Sequence, residues 1–147
     1  MSDSKTDAIT TATEAKTIVR RYIEDVWGKG DCVAEGELIA ADFVDHNPPP
    51  GFTSDREGHR RFLGMFRTSF PDALIVLEDL IAEGDKVVDR WTMRARHRGE
   101  FFGIPPTDRQ FSITGMDISR IAEGKIVEIW HQEDVLGMMR QLGVIPP

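Results

Sequence analysis

Asp117 and His131 stand on either side of a turn at Glu123-Gly124, and they are the acid and base most able to do chemistry together. A carboxylate that fixes one ring nitrogen of an imidazole leaves the other free to take and return a proton near neutral pH. The turn decides whether the two side chains meet. Ile121-Ala122-Glu123-Gly124-Lys125 suits a three-residue loop, a type I turn followed by Gly124 in the left-handed conformation as a bulge. Ile121 then faces Lys125, Asp117 pairs with Ile129, and Gly115 pairs with His131. On that register Asp117 and His131 are diagonal neighbours on one face, roughly 7–8 Å apart at the backbone. A two-residue turn at the same place would shift the register by one and separate them. The shared face carries Ile113, Gly115, Asp117, Ser119, Val127, Ile129 and His131, a mostly apolar surface broken by one acid and one base. That is a pocket's composition. The competing reading is a satisfied pair at the end of a sheet that touches no ligand.

Other chemistry-bearing residues are more scattered. His46 follows Asp45 at the lip of the loop Asn47-Pro48-Pro49-Pro50-Gly51 and could line a pocket mouth. From Lys86 onward, Val87, Trp91, Met93, Ala95 and His97 alternate with Arg90, Arg94, Arg96 and Arg98, giving one apolar and one basic face. The arginine row is expected to be solvated or paired with acids such as Glu78, Asp89 and Glu100. Trp130 and Glu128 fall on the face opposite His131, as packing or interface residues. Glu133 and Asp134 flank His131, but the spacing favoured by divalent metal sites is missing, so no metal is expected. The sequence contains no glycine-rich phosphate loop, nucleophile elbow or dinucleotide fingerprint, and no cofactor is expected.

These residues must be positioned by ordered elements. The chain has 147 residues, 40% of them hydrophobic, enough for one domain with a substantial core. Eighteen Lys and Arg against 25 Asp and Glu leave a net charge of −7, which repels nucleic-acid phosphate. A single cysteine, Cys32, no secretion-type leader and no membrane-length apolar run point to a cytoplasmic protein. Residues 1–10 read as a mobile tail and 11–147 as one domain. Thr11 and Glu14 have capping-box spacing ahead of a helical pattern that runs to Gly28; residues 32–41 are a weaker helical stretch. Ser54 and Glu57 repeat that spacing before a helix bearing Phe62, Leu63 and Phe66, which must end before Phe70-Pro71. Leu74–Ile81, Lys86–Arg98, Arg109–Ile121 and Lys125–Glu133 read as an antiparallel meander, and Asp134 caps a closing helix stopped by Gly143. Helices first and strands after make an α+β domain.

Three stretches together resemble one known family. They are Phe102-Gly103-Ile104-Pro105-Pro106-Thr107-Asp108-Arg109, Gly115-Met116-Asp117-Ile118-Ser119-Arg120-Ile121 with Glu123 to Trp130, and Arg140-Gln141-Leu142-Gly143. From about Thr13 to Gly143 the chain is similar to the SnoaL-like polyketide cyclases. The resemblance implies the cone-shaped α+β barrel of the ketosteroid isomerase and nuclear transport factor superfamily, in which helices cap a curved sheet over a deep apolar pocket. It also implies intramolecular aldol ring closure without metal or cofactor, by an aspartate acid/base and a nearby histidine. Counted without gaps from Gly143 back through Gly124, the family's aspartate position falls on His131 and its histidine position on Asp117, an exchanged pair.

On this reading His131 takes a proton from an acidified α-carbon, the enolate attacks a second carbonyl, and His131 returns the proton while Asp117 holds the ring. His46, Trp91 and His97 are expected to bind or polarise the substrate. The superfamily's open sheet face makes a homodimer or higher homo-oligomer the expected assembly, by analogy. Two rivals remain. An epoxide hydrolase would need two acids and an arginine, here Asp117, Asp89 and Arg90, but Asp89 and Arg90 point to opposite faces of one strand. A binding module would keep the cone without the chemistry.

Overall fold

The computed structural model describes residues 11–146; the tail expected over residues 1–10 lies outside them. Helix α1 (Ala12–Arg21) opens with the expected capping box, Thr11 accepting from the Glu14 backbone while Glu14 accepts from the Thr11 backbone. It runs into a π-helical stretch, Tyr22–Trp27, which puts Tyr22, Ile23 and Trp27 on the wall of the interior cavity. Such π turns recur at functional sites because the wider turn costs stability elsewhere. The weak helical stretch resolves into helix α2 (Cys32–Leu38), capped by Asp31, and strand β1 (Ile39–Asp45).

Helix α3 (Arg56–Ser69) ends before Phe70 as the proline requires, but its cap is Asp55 and not Ser54. The Asp55 carboxylate accepts from Gly58 N at 3.0 Å, whereas the Ser54 carbonyl is taken by Asp45 N. Strands β2 (Leu74–Glu83), β3 (Lys86–Arg96), β4 (Gln110–Ala122) and β5 (Lys125–Glu133) form the predicted meander. Helix α4 (Val135–Leu142) has Asp134 as its cap and Gly143 at φ 78° as its stop. The sheet order is β1-β5-β4-β3-β2, with β1 joining β5 in parallel. Among the described residues no helix is long and apolar enough to cross a membrane.

Two apolar clusters fill the inside of the curved sheet. Val19, Val26, Phe43, Val87 and Ile126 form one under α1; Phe66, Phe70, Phe111, Met138 and Leu142 form the other under α3 and α4. Burying each such side chain stabilises by about 1.5–3 kcal/mol. Trp27, Ile75 and Trp91 touch both clusters and stand between them. The space they leave is the cavity.

Candidate active site

Asp117 and His131 share a face, by a route the sequence did not suggest. Glu123 and Gly124 both adopt left-handed φ values, 52° and 75°, so Ala122 pairs with Lys125 across a two-residue turn of the I′ kind. That turn alone would have separated the pair. Arg120 then faces Glu128 while Ile121 faces Ile126, leaving Val127 as the extra residue of a bulge. The bulge restores the lost residue and sets Asp117 directly opposite His131, one step closer than the diagonal expected. It also turns Ile126, not Val127, into the core.

The cavity has a volume of about 630 Å³ and a wall made mainly of apolar side chains from α1, α3, α4 and the sheet. Phe62, Phe102 and the three prolines Pro48–Pro50 line it, as do Asp117, His131 and Trp91. No lysine or arginine among the described residues does.

His131 is not held by Asp117. Its Nε2–H donates to Asp45 (2.9 and 3.1 Å to the two oxygens) and its Nδ1–H to Glu133 at 2.6 Å. Its backbone N–H donates to Asn47, whose own N–H donates to Asp45. Burial opposes the charged ring, but the two carboxylates outweigh it and push its pKa up to about 10. At neutral pH this ring is an imidazolium with both N–H groups engaged, so it has no lone pair with which to remove a proton. The expected division of labour, His131 as base and Asp117 as its holder, is therefore corrected.

Asp117 has the properties of the base. It is 7% exposed, lines the cavity and is pushed above the ordinary carboxylate range by burial. The neighbouring Asp89, the charge of His131 and the Trp91 hydrogen bond pull the other way, and Glu133 adds to the rise. Asp89 faces Asp117 across β3–β4 and is 0% exposed. Burial and the adjacent Asp117 push the Asp89 pKa up to about 10, so it keeps its proton at neutral pH. Trp91 Nε1–H donates to Asp117 at 3.0 Å. The indole reaches it by lying over Gly115, where an added Cβ would come within 2.1 Å of the ring.

The other predicted residues divide. Trp91 belongs to the site. His46 does not: it lies on the outer sheet face, bonded to Glu128 at 2.9 Å and stacked on Trp130 with centroids 4.6 Å apart. His97 is a core residue, 0% exposed, its Nδ1 accepting from the Thr107 backbone. The arginine row faces away from the cavity, with Arg90 paired to Asp79 at 2.7 Å, while Asp89 points inward and away from it. The acid–arginine–acid set of an epoxide hydrolase is thus incomplete. Oxygen or nitrogen atoms of Asp117, His131 and Glu133 lie within 4.8 Å of one another. A metal there would need a His131 lone pair, and so would have to break a bond to Asp45 or Glu133.

Sequence reasoning missed Asp45, Glu133 and Asn47, and a second group across the cavity. Glu35 on α2 and His59 on α3 are buried and joined by a short hydrogen bond at Nδ1, and His59 Nε2 is 2.8 Å from the Tyr22 hydroxyl. The signal for His59 was available, since 59, 62, 63 and 66 share one helix face.

Residues 17–142 match the family model described as SnoaL-like polyketide cyclase. The chain is 33% identical over 111 residues to nogalonic acid methyl ester cyclase of Streptomyces nogalater, covering 73% of this chain and 81% of that one. It is 31% identical over 131 residues to aklanonic acid methyl ester cyclase DnrD of Streptomyces peucetius, covering 86% and 88%. Among solved structures, IdmH of Streptomyces antibioticus superposes with a TM-score of 0.77 at 36% identity, covering 88% of this chain and 98% of that one. TsrD of Streptomyces laurentii does so at 0.84 and 28%, covering 93% and 100%. The chain belongs to the SnoaL-like polyketide cyclase family.

Proposed function

We propose that the protein closes a ring in a neutral, polycyclic polyketide ester by a cofactor-independent intramolecular aldol reaction, with Asp117 as the base. The observation that carries this reading is the Asp117 carboxyl itself, raised in basicity by burial and exposed to an apolar cavity large enough for several fused rings. Asp117 takes the proton from a carbon acidified by flanking carbonyls and becomes a carboxylic acid. The enolate carbon attacks a ketone of the same molecule, forming the C–C bond and leaving an alkoxide to be protonated. Trp91 holds the carboxylate in place, and the His131 imidazolium keeps it ionised. Asp45, Asp117 and Glu133 stand in its wall, the His131 cation is already held by Asp45 and Glu133, and no lysine or arginine among the described residues lines it, so the cavity favours an ester over the corresponding free acid.

Aklanonic and nogalonic acid methyl esters, named for the relatives' reactions, are the first substrates to try. The wild type is expected to convert one of them to a product of equal mass with one more ring, and Asp117→Asn to lose about 10³-fold or more in turnover. Binding without conversion by the wild type would mark a binding module instead. Undiminished turnover in Asp117→Asn would remove Asp117 from the mechanism.

We also read the enzyme as a cytoplasmic homodimer. Ile81, Val88, Ile118 and Trp130 form a cross-strand row on the outer sheet face, with Met116 beside them 57% exposed. An apolar row of that length suits burial against a second copy. The free, exposed Cys32 suits a reducing compartment.

A further inference from the structure

The ring closure leaves an alkoxide, and His131, with both N–H groups committed to carboxylates, is poorly placed to protonate it. The opposite wall holds an unused chain of titratable groups. The Tyr22 hydroxyl is 2.8 Å from His59 Nε2, and His59 Nδ1 is bonded to Glu35. All three side chains are buried, Glu35 at 2%, Tyr22 at 3% and His59 at 7% exposure, yet Tyr22 and His59 line the cavity. A buried carboxylate on a helix interior is costly unless it has a hydrogen-bonded partner, and His59 is that partner. Packing does not require this set. Trp27 and Phe43 surround the His59 ring edge-on with centroids 5.3 and 5.5 Å away, an environment that an apolar side chain would suit better. Burial raises the Tyr22 hydroxyl well above its usual value; a hydrogen bond with Trp27 opposes the rise, and the charges of Asp117 and Asp45 add to it.

We propose that Tyr22 is the acid that protonates the new alkoxide, and that Glu35 and His59 form a buried relay that resupplies its proton. The proposal rests on the cyclase reading above. The relay requires His59 to donate from both nitrogens, Nδ1–H to Glu35 and Nε2–H to the Tyr22 oxygen, which turns the phenolic proton toward the substrate. As the C–C bond forms, the Tyr22 O–H bond breaks and the product O–H bond forms. The His59 Nε2–H bond breaks and the Tyr22 O–H bond is remade. The enzyme is left with one proton more on Asp117 and one fewer on His59, and exchange through water after product release restores both.

The test separates the two proton transfers. In D₂O, loss of the substrate's acidic α-hydrogen reports the Asp117 step, and appearance of the cyclised product reports closure, both followed with aklanonic acid methyl ester. Tyr22→Phe is expected to slow closure about 10²–10³-fold while α-exchange stays within about threefold of the wild type. Glu35→Gln is expected to slow closure about 10–100-fold and to add nothing to Tyr22→Phe, because it acts only through that hydroxyl. Equal loss of exchange and closure in Tyr22→Phe, or an additive double variant, would overturn the relay. A wild type that neither exchanges nor closes this ester counts against the cyclase reading, and the relay then stands or falls on ¹⁵N NMR of the free protein. Two protonated His59 nitrogens, one of them lost in Glu35→Gln, support it, and a singly protonated ring in the wild type overturns it.

Discussion

Two histidines face one cavity from opposite walls, and their surroundings assign them different work. His131, on the sheet, sits between two carboxylates that take both its N–H groups. His59, on the helical side, has a carboxylate at one nitrogen and a phenol at the other. The first arrangement fixes a positive charge. The second ends in a hydroxyl whose proton can leave. Residue type alone does not decide what a histidine does; the second nitrogen's partner does.

The largest effect that tests this contrast is expected from removing the fixed charge. His131→Gln keeps two hydrogen bonds but not the cation, so Asp117 rises further and the rising limb of the pH–rate profile moves to higher pH. Turnover at pH 7 should fall about 10²-fold, in the range of a lost general acid–base contribution. An unchanged profile would mean the imidazolium does not act on Asp117. Next comes Gly115→Ala, whose methyl displaces the Trp91 indole and its hydrogen bond to Asp117. A loss of about tenfold in turnover with the substrate KM little changed is expected, since one hydrogen bond to a charged group contributes about 1.5–3 kcal/mol at most. Retained activity together with an intact Asp117 environment would show that the indole only packs.

Stability gives a smaller readout of opposite sign. Asp89 is raised in the folded state, so its contribution is present below about pH 4 and is lost as the pH climbs toward its folded value. His131, raised to about 10 from 6.5, contributes fully below about 6.5 and loses its contribution as the pH rises through about 10. Thermal unfolding of the wild type should therefore weaken from pH 6.5 to 10. Asp89→Asn should be more stable than wild type at pH 8 and nearly equal to it at pH 4, and a wild-type advantage at pH 8 would show that Asp89 is ionised. The smallest expected change is in His46→Ala. This histidine also pairs with a glutamate, but on the outer face, and turnover should stay within about twofold, as for other exposed pairs of about 0–1 kcal/mol.

Much of this arrangement was legible because periodicity is local. Strand β5, α4 and the capping box of α1 follow directly from alternation, Asp134, Gly143, Thr11 and Glu14. Glu133 was also within reach, two residues along a strand from His131 and so on its face. Asp45 was not. Its strand pairs Ile39 with Ile126 and then Val44 with Glu128, so an irregularity absorbs several residues and erases the alternation that marks a strand. The Val127 bulge is equally silent in sequence, and the correct face for Asp117 and His131 came from a loop that does not exist. Glu35 looks like a surface residue of a short polar helix; the tertiary fold buries it beside His59 of α3. Tertiary contacts of this kind leave no local trace.

The assignment of base and cation is tested most directly by following the ¹⁵N shifts of the His131 ring through a pH titration of the wild-type protein. A ring that stays doubly protonated past pH 8 and titrates near 10 is the predicted result, and it leaves Asp117 as the proton acceptor. A midpoint near the ordinary value of 6.5 would give His131 a free lone pair at neutral pH and contradict the account.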